Sequence, residues 1–422
     1  MSANFYLSSH ANNHLHPRAA VVAARQEDYK HATEQELAFI EIWSASAMQK
    51  MCKRLNLRQQ VLATAIVFYR RFYLRNSYCE TEPSLVAAAC VYVAAKAEET
   101  PVHVKSAVSE AKAVFSEMGM SNFAADNNRL AEMEFYLIEE LDFHLIVFHP
   151  YRALMQLCGR DGGEQAGGEE GRESRRKMLE MDDHSFQMAW FIINDTFRSS
   201  LCLVHPPHLI ALASIYLALS MNPPRSLIAA FTPLNNDPSA STASTSSSSH
   251  DAAPNTGVAS RTRRRGSADA STNASNSGGK PLASSSAGAT ASAGNGKPGG
   301  QTDALTFLAS LEIDQTILLE IIQEIISLYE LWSILESSSS PPNNAAGSAS
   351  PAPSSPNPTS NAANPSGRGT RLEGNNVDQK LVGLIKRMQE SRMRELREER
   401  SRAAQVGASA SATAGSNHGK RG

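Results

Sequence analysis

The residues best placed to do chemistry are two adjacent carboxylates, Glu98 and Glu99, which close a long apolar run. Paired carboxylates can act as general acid and base, but neighbours in a helix point about 100° apart. The pair also stands at the C-terminal end of the helix that the run predicts, where negative charge is unfavourable. We therefore expect Glu98 and Glu99 to contact another protein rather than to catalyse a reaction.

Other catalytic or metal-binding patterns are missing from the sequence. It contains no GxSxG, HExxH, P-loop or glycine-rich kinase loop. His14 and His16 have HxH spacing but no further ligands nearby, and no CxxC pair is present. We expect no catalytic residues, cofactor or metal, and a reduced protein, since three of the five cysteines lie in apolar helical runs where a thiol is usually buried and inert. The five cysteines are Cys52, Cys79, Cys90, Cys158 and Cys202.

Charge and hydropathy limit the class of protein further. The 422 residues include 40 Lys and Arg against 42 Asp and Glu, a balance that argues against coating nucleic acid or an anionic membrane. The longest apolar run, residues 85–95, is far shorter than the roughly 20 residues of a membrane span. The N-terminus lacks the apolar region of a signal peptide. We expect a soluble protein.

Three stretches of low complexity divide the chain: residues 159–176, 235–301 and 337–376. They are rich in Gly, Ser, Asn or Pro and carry almost no large apolar side chains. Such segments cannot offset the entropy of ordering, so we expect them to be disordered. The last begins a tail over 336–422, in which residues 377–404 could form a charged helix that we expect to be solvated.

The segments between these stretches have helical periodicity. Thr33 and Glu36 form a capping-box pattern at the start of residues 33–55, where apolar residues then recur at helical spacing. Residues 82–98 begin with Pro83 and are apolar on all sides, which is typical of a central helix. Because no alternating strand pattern occurs, the sequence predicts an all-α protein. Further helices are predicted over residues 58–74, 104–118, 126–142 and 314–335.

The central helix has a counterpart later in the chain. A shift of 124 residues places 83–95 (PSLVAAACVYVAA) on 207–219 (PHLIALASIYLAL) with six identities, and the preceding helices correspond as well. Any two buried helices share some Ala and Val, but a neighbouring helix in the same register favours a true internal repeat.

Two motifs in the first repeat resemble those of the cyclin box. Residues 94–99 (AAKAEE) resemble the A-S-K-x-E-E string that ends the central helix in cyclins. Residues 133–143 (MEFYLIEELDF) resemble the family's M-E-x-x-(L/I)-x-x-x-L-x-F pattern. The resemblance implies two tandem five-helix repeats, at 33–146 and at 147–335, the second interrupted by 159–176 and 235–301. An N-terminal arm and helix over 1–32, with the helix near 15–31, would precede them.

The cyclin resemblance implies a non-enzymatic subunit that binds and activates a cyclin-dependent kinase. On this basis Lys96 would donate hydrogen bonds to kinase backbone carbonyls, and Glu134 would accept them from backbone N–H groups. Glu98 and Glu99 are further kinase-binding candidates. Phe5 and Tyr6 are aromatic residues ahead of the helical core, so they are candidates for a docking arm.

Within the cyclins the chain most resembles the type C subfamily. The resemblance implies a nuclear protein that works with the Mediator-associated kinase and Mediator subunits 12 and 13 in RNA polymerase II transcription. A transcriptional cyclin of the H, K, L or T type is the alternative. A B-factor-like transcription scaffold is less favoured, because the zinc ribbon and basic surface of that class are missing. The matching stretches are residues 4–10, 57–61, 68–72, 145–152 and 194–198.

Overall fold

The computed structural model describes residues 4–120, 123, 126–160, 178–223, 304–337 and 375–416. Over these ranges the secondary structure is helical, which confirms the all-α prediction. The predicted disordered segments 159–176, 235–301 and 337–376 lie outside the described residues, except at their margins. The first helices are α1 (Ser9–Asn13), α2 (Arg18–Ala23), α3 (Glu34–Arg54), α4 (Gln59–Phe72), α5 (Pro83–Ala97), α6 (Val104–Glu117) and α7 (Asn127–Glu140). The others are α8 (Pro150–Leu157), α9 (Asp183–Thr196), α10 (Leu201–Val204), α11 (Pro207–Met221), α12 (Ala304–Ala309), α13 (Gln315–Ser337) and α14 (Asn375–Ser416).

The N-terminal segment is broken into short pieces, whereas the sequence predicted one helix near residues 15–31. It contains α1, α2 and two 3₁₀ turns, Phe5–Leu7 and Asp28–Lys30. Pro17 explains the first break, because proline has no N–H and disfavours helical backbone in the residue before it. Pro17 is the N-cap of α2, so the helix starts afresh there.

In the first repeat, helices α3, α4, α6 and α7 surround α5. The capping box predicted for α3 is present, with the Thr33 N–H donating to Glu36 Oε2 at 2.9 Å. Helix α5 begins with Pro83 at its first turn and is buried along almost its whole length. Small residues such as Ala87 and Ala94 are fully enclosed, which lets the surrounding helices approach closely.

The second repeat reproduces the α4–α5 pair. Helices α9 and α11 have the same lengths as α4 and α5 and begin 124 residues later. Within each repeat these two helices form the most extensive helix pair. The structure therefore confirms the internal repeat read from residues 83–95 and 207–219.

One buried arginine connects the two repeats. Arg70 of α4 donates from Nε to the Phe197 carbonyl at 2.9 Å and from Nη1 to Glu41 Oε2 at 2.8 Å. Only 5% of the Arg70 side chain is exposed. Buried charges are tolerated when they are paired and hydrogen-bonded in this way. Arg70 thus links α3 and α4 of the first repeat to the end of α9 in the second.

Helix α14 contains the charged helix predicted at 377–404, but it is not simply solvated. Leu381, Ile385 and Met388 are buried, and the helix packs against α3. The expectation of a solvated helix was wrong because the apolar side of α14 packs against the rest of the protein. None of the helices in the described ranges is long and apolar enough to cross a membrane.

Candidate functional site

Lys96 and Glu134, the first candidates from the sequence, lie side by side at the surface. Lys96 is in the last turn of α5 and Glu134 is in the middle of α7, and Lys96 Nζ is 2.6 Å from Glu134 Oε1. The Lys96 ammonium also lies 4.2 Å from the centroid of the Tyr92 ring, one turn earlier in α5. The Lys96 side chain is 42% exposed and that of Glu134 15%, so both groups can be reached from outside.

The electrostatics of Lys96 favour its charged form. Burial acts to lower its pKa, but the hydrogen bonds and charges of Glu134 and Tyr92 outweigh burial and raise the pKa above its ordinary value. Lys96 is therefore an ammonium ion at neutral pH, with three N–H donors held at one place on the surface. Tyr92 was not among the predicted site residues, although its position four residues before Lys96 on a helix could have indicated it.

Glu98 is partly buried, with 17% of its side chain exposed, and its carboxylate is hydrogen-bonded within the chain. It accepts hydrogen bonds from Thr64 Oγ1 at 2.5 Å and from Gln60 Nε2 at 2.6 Å. Because the one Thr64 hydroxyl proton goes to Glu98, the 2.7 Å contact with His149 Nε2 requires that nitrogen to be the donor. Burial acts to raise the Glu98 pKa, but His149, Thr64 and Gln60 outweigh it and lower the pKa. Glu98 joins α4, α5 and the segment that leads into the second repeat.

Glu99 has the opposite environment. Its backbone is in the left-handed region with φ 54°, and the next N–H, that of Thr100, closes the helix by donating to the Ala95 carbonyl at 2.9 Å. This reversal turns the Glu99 side chain out to solvent. Of the two adjacent carboxylates, Glu99 is the exposed one, whereas Glu98 is bonded to α4.

Large apolar side chains are exposed on and just after α7. Phe135 is 75% exposed, Phe143 is 74% exposed and Ile146 is 69% exposed. Phe143 has φ 60°, a conformation that is unusual for a bulky residue and that costs on the order of 1 kcal/mol. Backbone strain of this kind is concentrated at functional sites. We call Lys96, Glu99, Glu134 and these three residues the α5–α7 surface. Phe135 was left out of the predicted site because the sequence did not tell whether it was core, and no sequence signal singled out Phe143 or Ile146.

The N-terminal arm is folded against the body. The Phe5 ring makes edge-on contacts with His10 and with Phe148, at centroid distances of 5.4 and 5.5 Å. Tyr6 is mostly exposed and lies 6.0 Å from the His208 ring of α11. Of the two predicted docking residues, Phe5 thus anchors the arm and Tyr6 faces outward.

His14 and the five cysteines, the other residues that the sequence singled out, are buried inside the protein. His14 Nε2 lies 3.1 Å from His144 Nδ1, and all five cysteines are buried. Burial raises the pKa of Cys52 to about 12, so this thiol is inert at neutral pH. Among the described residues, no group of three or more His, Cys, Asp or Glu could hold a metal ion.

The described part of the chain is a helical scaffold that exposes charged and apolar side chains together on and near α5 and α7. Comparison with known proteins narrows the class. Residues 6–146 match the cyclin N-terminal domain family. The "RNA polymerase II holoenzyme cyclin-like subunit" of Mycosarcoma maydis is 38% identical over 275 residues, which cover 53% of this chain and 70% of that protein. Cyclin-C of Rattus norvegicus is 36% identical over 223 residues, covering 52% and 72%. Cyclin-C of Drosophila melanogaster is 35% identical over 223 residues, covering 52% and 77%.

The chain belongs to the cyclin family. Two of the relatives named above are Cyclin-C proteins, which agrees with the resemblance read from residues 4–10 and 145–152.

Proposed function

We propose that this chain is the non-catalytic regulatory subunit of a cyclin-dependent kinase that acts in RNA polymerase II transcription, and that the α5–α7 surface binds the kinase. The observation that carries the proposal is the Lys96–Glu134 pair, which is held at the surface between two helices of the first repeat. Membership of the cyclin family and the names of its type C relatives support the same conclusion.

The physical role of such a subunit is to select one state of the kinase. A protein kinase is active when its αC helix is placed so that a Lys–Glu pair can position the ATP phosphates. A partner that binds only this placement shifts the kinase towards it. A rigid scaffold suits the task, because its surface need not reorganise on binding.

In the proposed complex Lys96 and Glu134 form hydrogen bonds with the backbone of the kinase. The Lys96 ammonium has three N–H donors, so it can donate to kinase carbonyls as well as to Glu134. The Glu134 carboxylate can in turn accept from backbone N–H groups. Hydrogen bonds to charged groups contribute about 1.5–3 kcal/mol each. Phe135, Phe143 and Ile146 would supply the apolar area around the pair, and Glu99 would add a contact at its edge. The kinase-binding role first predicted for Glu98 stays a prediction, since its carboxylate is engaged within the chain.

The type C relationship extends the proposal to the assembly. We propose that the kinase is the Mediator-associated one, that Mediator subunits 12 and 13 are further partners, and that the protein acts in the nucleus. We also propose that the isolated chain transfers no phosphate, so that a kinase assay without the partner kinase should give only background.

The test is affinity purification of the full chain from its own cells, followed by mass spectrometry. The Lys96→Ala/Glu134→Ala variant should recover at least about tenfold less kinase than wild type, because two charge-assisted hydrogen bonds are lost. The control is Arg54→Ala/Glu110→Ala, which removes a surface ion pair between α3 and α6 and should leave recovery unchanged. Equal recovery by both variants would contradict the proposed interface. A kinase outside Mediator would contradict only the type of assembly.

A further inference from the structure

Helix α14 covers part of the first repeat with one apolar stripe. Leu381, Leu384, Ile385 and Met388 are all nearly fully buried. Their spacing of i, i+3, i+4 and i+7 is the pattern by which amphipathic helices anchor in grooves of other proteins. In the sequence, helix α14 is connected to α13 only through residues 338–374. Helix α14 therefore resembles a bound helical ligand that is covalently part of the same chain.

Polar contacts continue along the same face of α14. Gln389 Nε2 donates to the Thr81 carbonyl at 2.7 Å, and Arg392 Nε lies 2.9 Å from Glu80 Oε1. Glu395 lies 3.4 Å from His31 Nε2, just before α3 begins. These contacts place the middle of α14 beside the start of α3 and residues 80–81, so they fix both the direction and the register of the helix.

The N-terminal end of α14 meets the other end of α3. Asp378 lies close enough to Lys50 for the lysine to lower its pKa, although burial is the larger effect and raises that pKa. The two helices therefore run antiparallel. Gly119, just after α6, has φ 83°, and a Cβ atom there would lie 3.0 Å from Gln379 Cγ. A larger residue at 119 would be strained and would also press on α14.

The contacts of α14 differ from those of a core helix. Helix α5 is enclosed by its neighbours on all sides, whereas α14 lies on the surface and contacts the body along one face. Its side chains from residue 397 to residue 405 are exposed, and the carboxylates that Arg392 meets are half-exposed. Exposed ion pairs contribute little stability, so the apolar stripe provides most of the attachment.

We propose that α14 is a tethered docking helix, which occupies a groove formed by α3, the end of α6 and residues 80–81 and which can leave that groove without unfolding either repeat. When it is vacated, the groove accepts an amphipathic helix with the same stripe. Because α14 belongs to the same chain, its binding in the groove is intramolecular and takes place at a high effective concentration. Separate helices of similar intrinsic affinity are therefore excluded from the groove. This proposal does not depend on kinase binding, because its residues lie outside the α5–α7 surface.

The test uses the full chain and a fluorescent synthetic peptide of residues 375–405, with binding measured by fluorescence anisotropy. In the Leu384→Asp/Ile385→Asp chain two charges stand at the buried stripe, so α14 should leave the groove. The peptide should then bind this chain at least about tenfold more tightly than wild type, whose groove is occupied. The Lys386→Asp chain is the matched control, because residue 386 is an exposed position on the same turn. It should bind as weakly as wild type, and a peptide with both Asp substitutions should bind none of the chains.

Hydrogen exchange of the same chains shows whether the helix is separable. In the double variant, amides of residues 378–395 should lose protection while those of α5 and α11 keep it. Loss of protection throughout the first repeat would overturn the proposal, because α14 would then be an integral part of the fold. Equal peptide binding by the double variant and wild type would also overturn it. A wild-type dimer that the double variant converts to monomers would assign the groove to α14 of a second copy and overturn the arrangement within one chain.

Discussion

At the scale of single residues, Phe143 combines a strained backbone with an exposed ring. The N–H of Phe143 closes α7 by donating to the Ile138 carbonyl at 3.1 Å, a contact that depends on the left-handed backbone of the preceding Asp142, and Phe143 is itself left-handed as well. Glycine adopts this conformation without a steric penalty. A phenylalanine whose ring is mostly in solvent gains little from packing, so binding a partner is the physical reason that we assign to it.

Replacing Phe143 with glycine should separate stability from binding. We expect Phe143→Gly to keep or raise the free energy of unfolding, by up to about 1 kcal/mol, because the left-handed strain is relieved. Kinase recovery should nevertheless fall, since the apolar contact is lost. Urea unfolding and the affinity purification described above measure the two effects. Asn56→Gly is the control, because Asn56 has a similar φ of 53° after α3 but lies outside the α5–α7 surface. Undiminished kinase recovery by Phe143→Gly would remove Phe143 from the proposed interface.

At the scale of elements, histidines hold the N-terminal segment against the core. His10 Nδ1 accepts the Phe148 N–H at 3.1 Å, and His14 contacts His144. Burial is the main reason that the pKa of His10 and that of His14 are each lowered to about 3. The nearby Arg71 guanidinium lowers both further. Burial in turn lowers the pKa of Arg71 to about 10. Asp142 acts in the opposite direction on His14 but is outweighed.

These shifts make stability depend on pH in a definite direction. Below the ordinary histidine pKa of 6.5 the unfolded chain binds more protons at these sites than the folded chain. Their contribution is therefore fully present above pH 6.5 and decreases as the pH falls. Urea unfolding should give about 2–3 kcal/mol less stability at pH 5 than at pH 7, after allowance for solvent screening at His14.

Variants can assign this pH dependence to the N-terminal segment. His10→Asn/His14→Gln keeps hydrogen-bonding groups at both places but cannot be protonated, so the loss between pH 7 and pH 5 should become clearly smaller. The remainder comes from other histidines whose pKa burial also lowers, among them His149 and His205. His184→Gln, at an exposed position of α9, should retain the full loss. An unchanged loss in the double variant would show that other groups control acid stability.

At the scale of the whole molecule, Arg70 is the clearest link between the repeats. The loss of its guanidinium would leave the Glu41 carboxylate and the Phe197 carbonyl without their partner. Burial acts to lower the pKa of Arg70, but Glu41 outweighs burial and raises it, so the side chain is charged. Removing one member of a buried charge pair is strongly destabilising because the other is left uncompensated.

Loss of Arg70 should therefore weaken the coupling between the two repeats. We expect Arg70→Met to lower the free energy of unfolding by about 3 kcal/mol. Calorimetry should show the unfolding transition broaden or divide, since the repeats would unfold less cooperatively. Arg75→Met removes a half-exposed ion pair with Asp142 and should change stability by less than about 1 kcal/mol. A similar effect of both variants would mean that the repeats are coupled elsewhere.

Features that depend on neighbours in the sequence could be predicted from it. The Thr33–Glu36 capping box, the proline at the start of α5 and α11, and the 124-residue register all follow from local patterns. The candidate pair Lys96 and Glu134 came from the motifs that carry the cyclin resemblance. That the two side chains contact each other could not be predicted, because they are 38 residues apart and no local pattern relates α5 to α7.

Features that depend on what covers a surface could not be predicted. Glu98 and Glu99 are identical neighbours, yet the Glu98 carboxylate is bonded to Thr64 and Gln60 while the left-handed Glu99 is exposed. Periodicity likewise showed that α14 has an apolar side but not that α3 lies against it. Pro17 was visible in the sequence, and its effect on the N-terminal helix should have been anticipated.

The equal lengths of the two central helix pairs have a consequence for how such a chain can change over evolutionary time. Helices α4 and α9 have equal lengths, as do α5 and α11, because a packed helix cannot gain or lose a residue without rotating every side chain beyond that point. Length can be added only between the helices, where closing a longer loop costs little. The low-complexity stretches of the sequence at 159–176 and 235–301 fall between described helices rather than within them. Insertion and deletion are thereby confined to the connections, while the paired helices evolve by substitution alone.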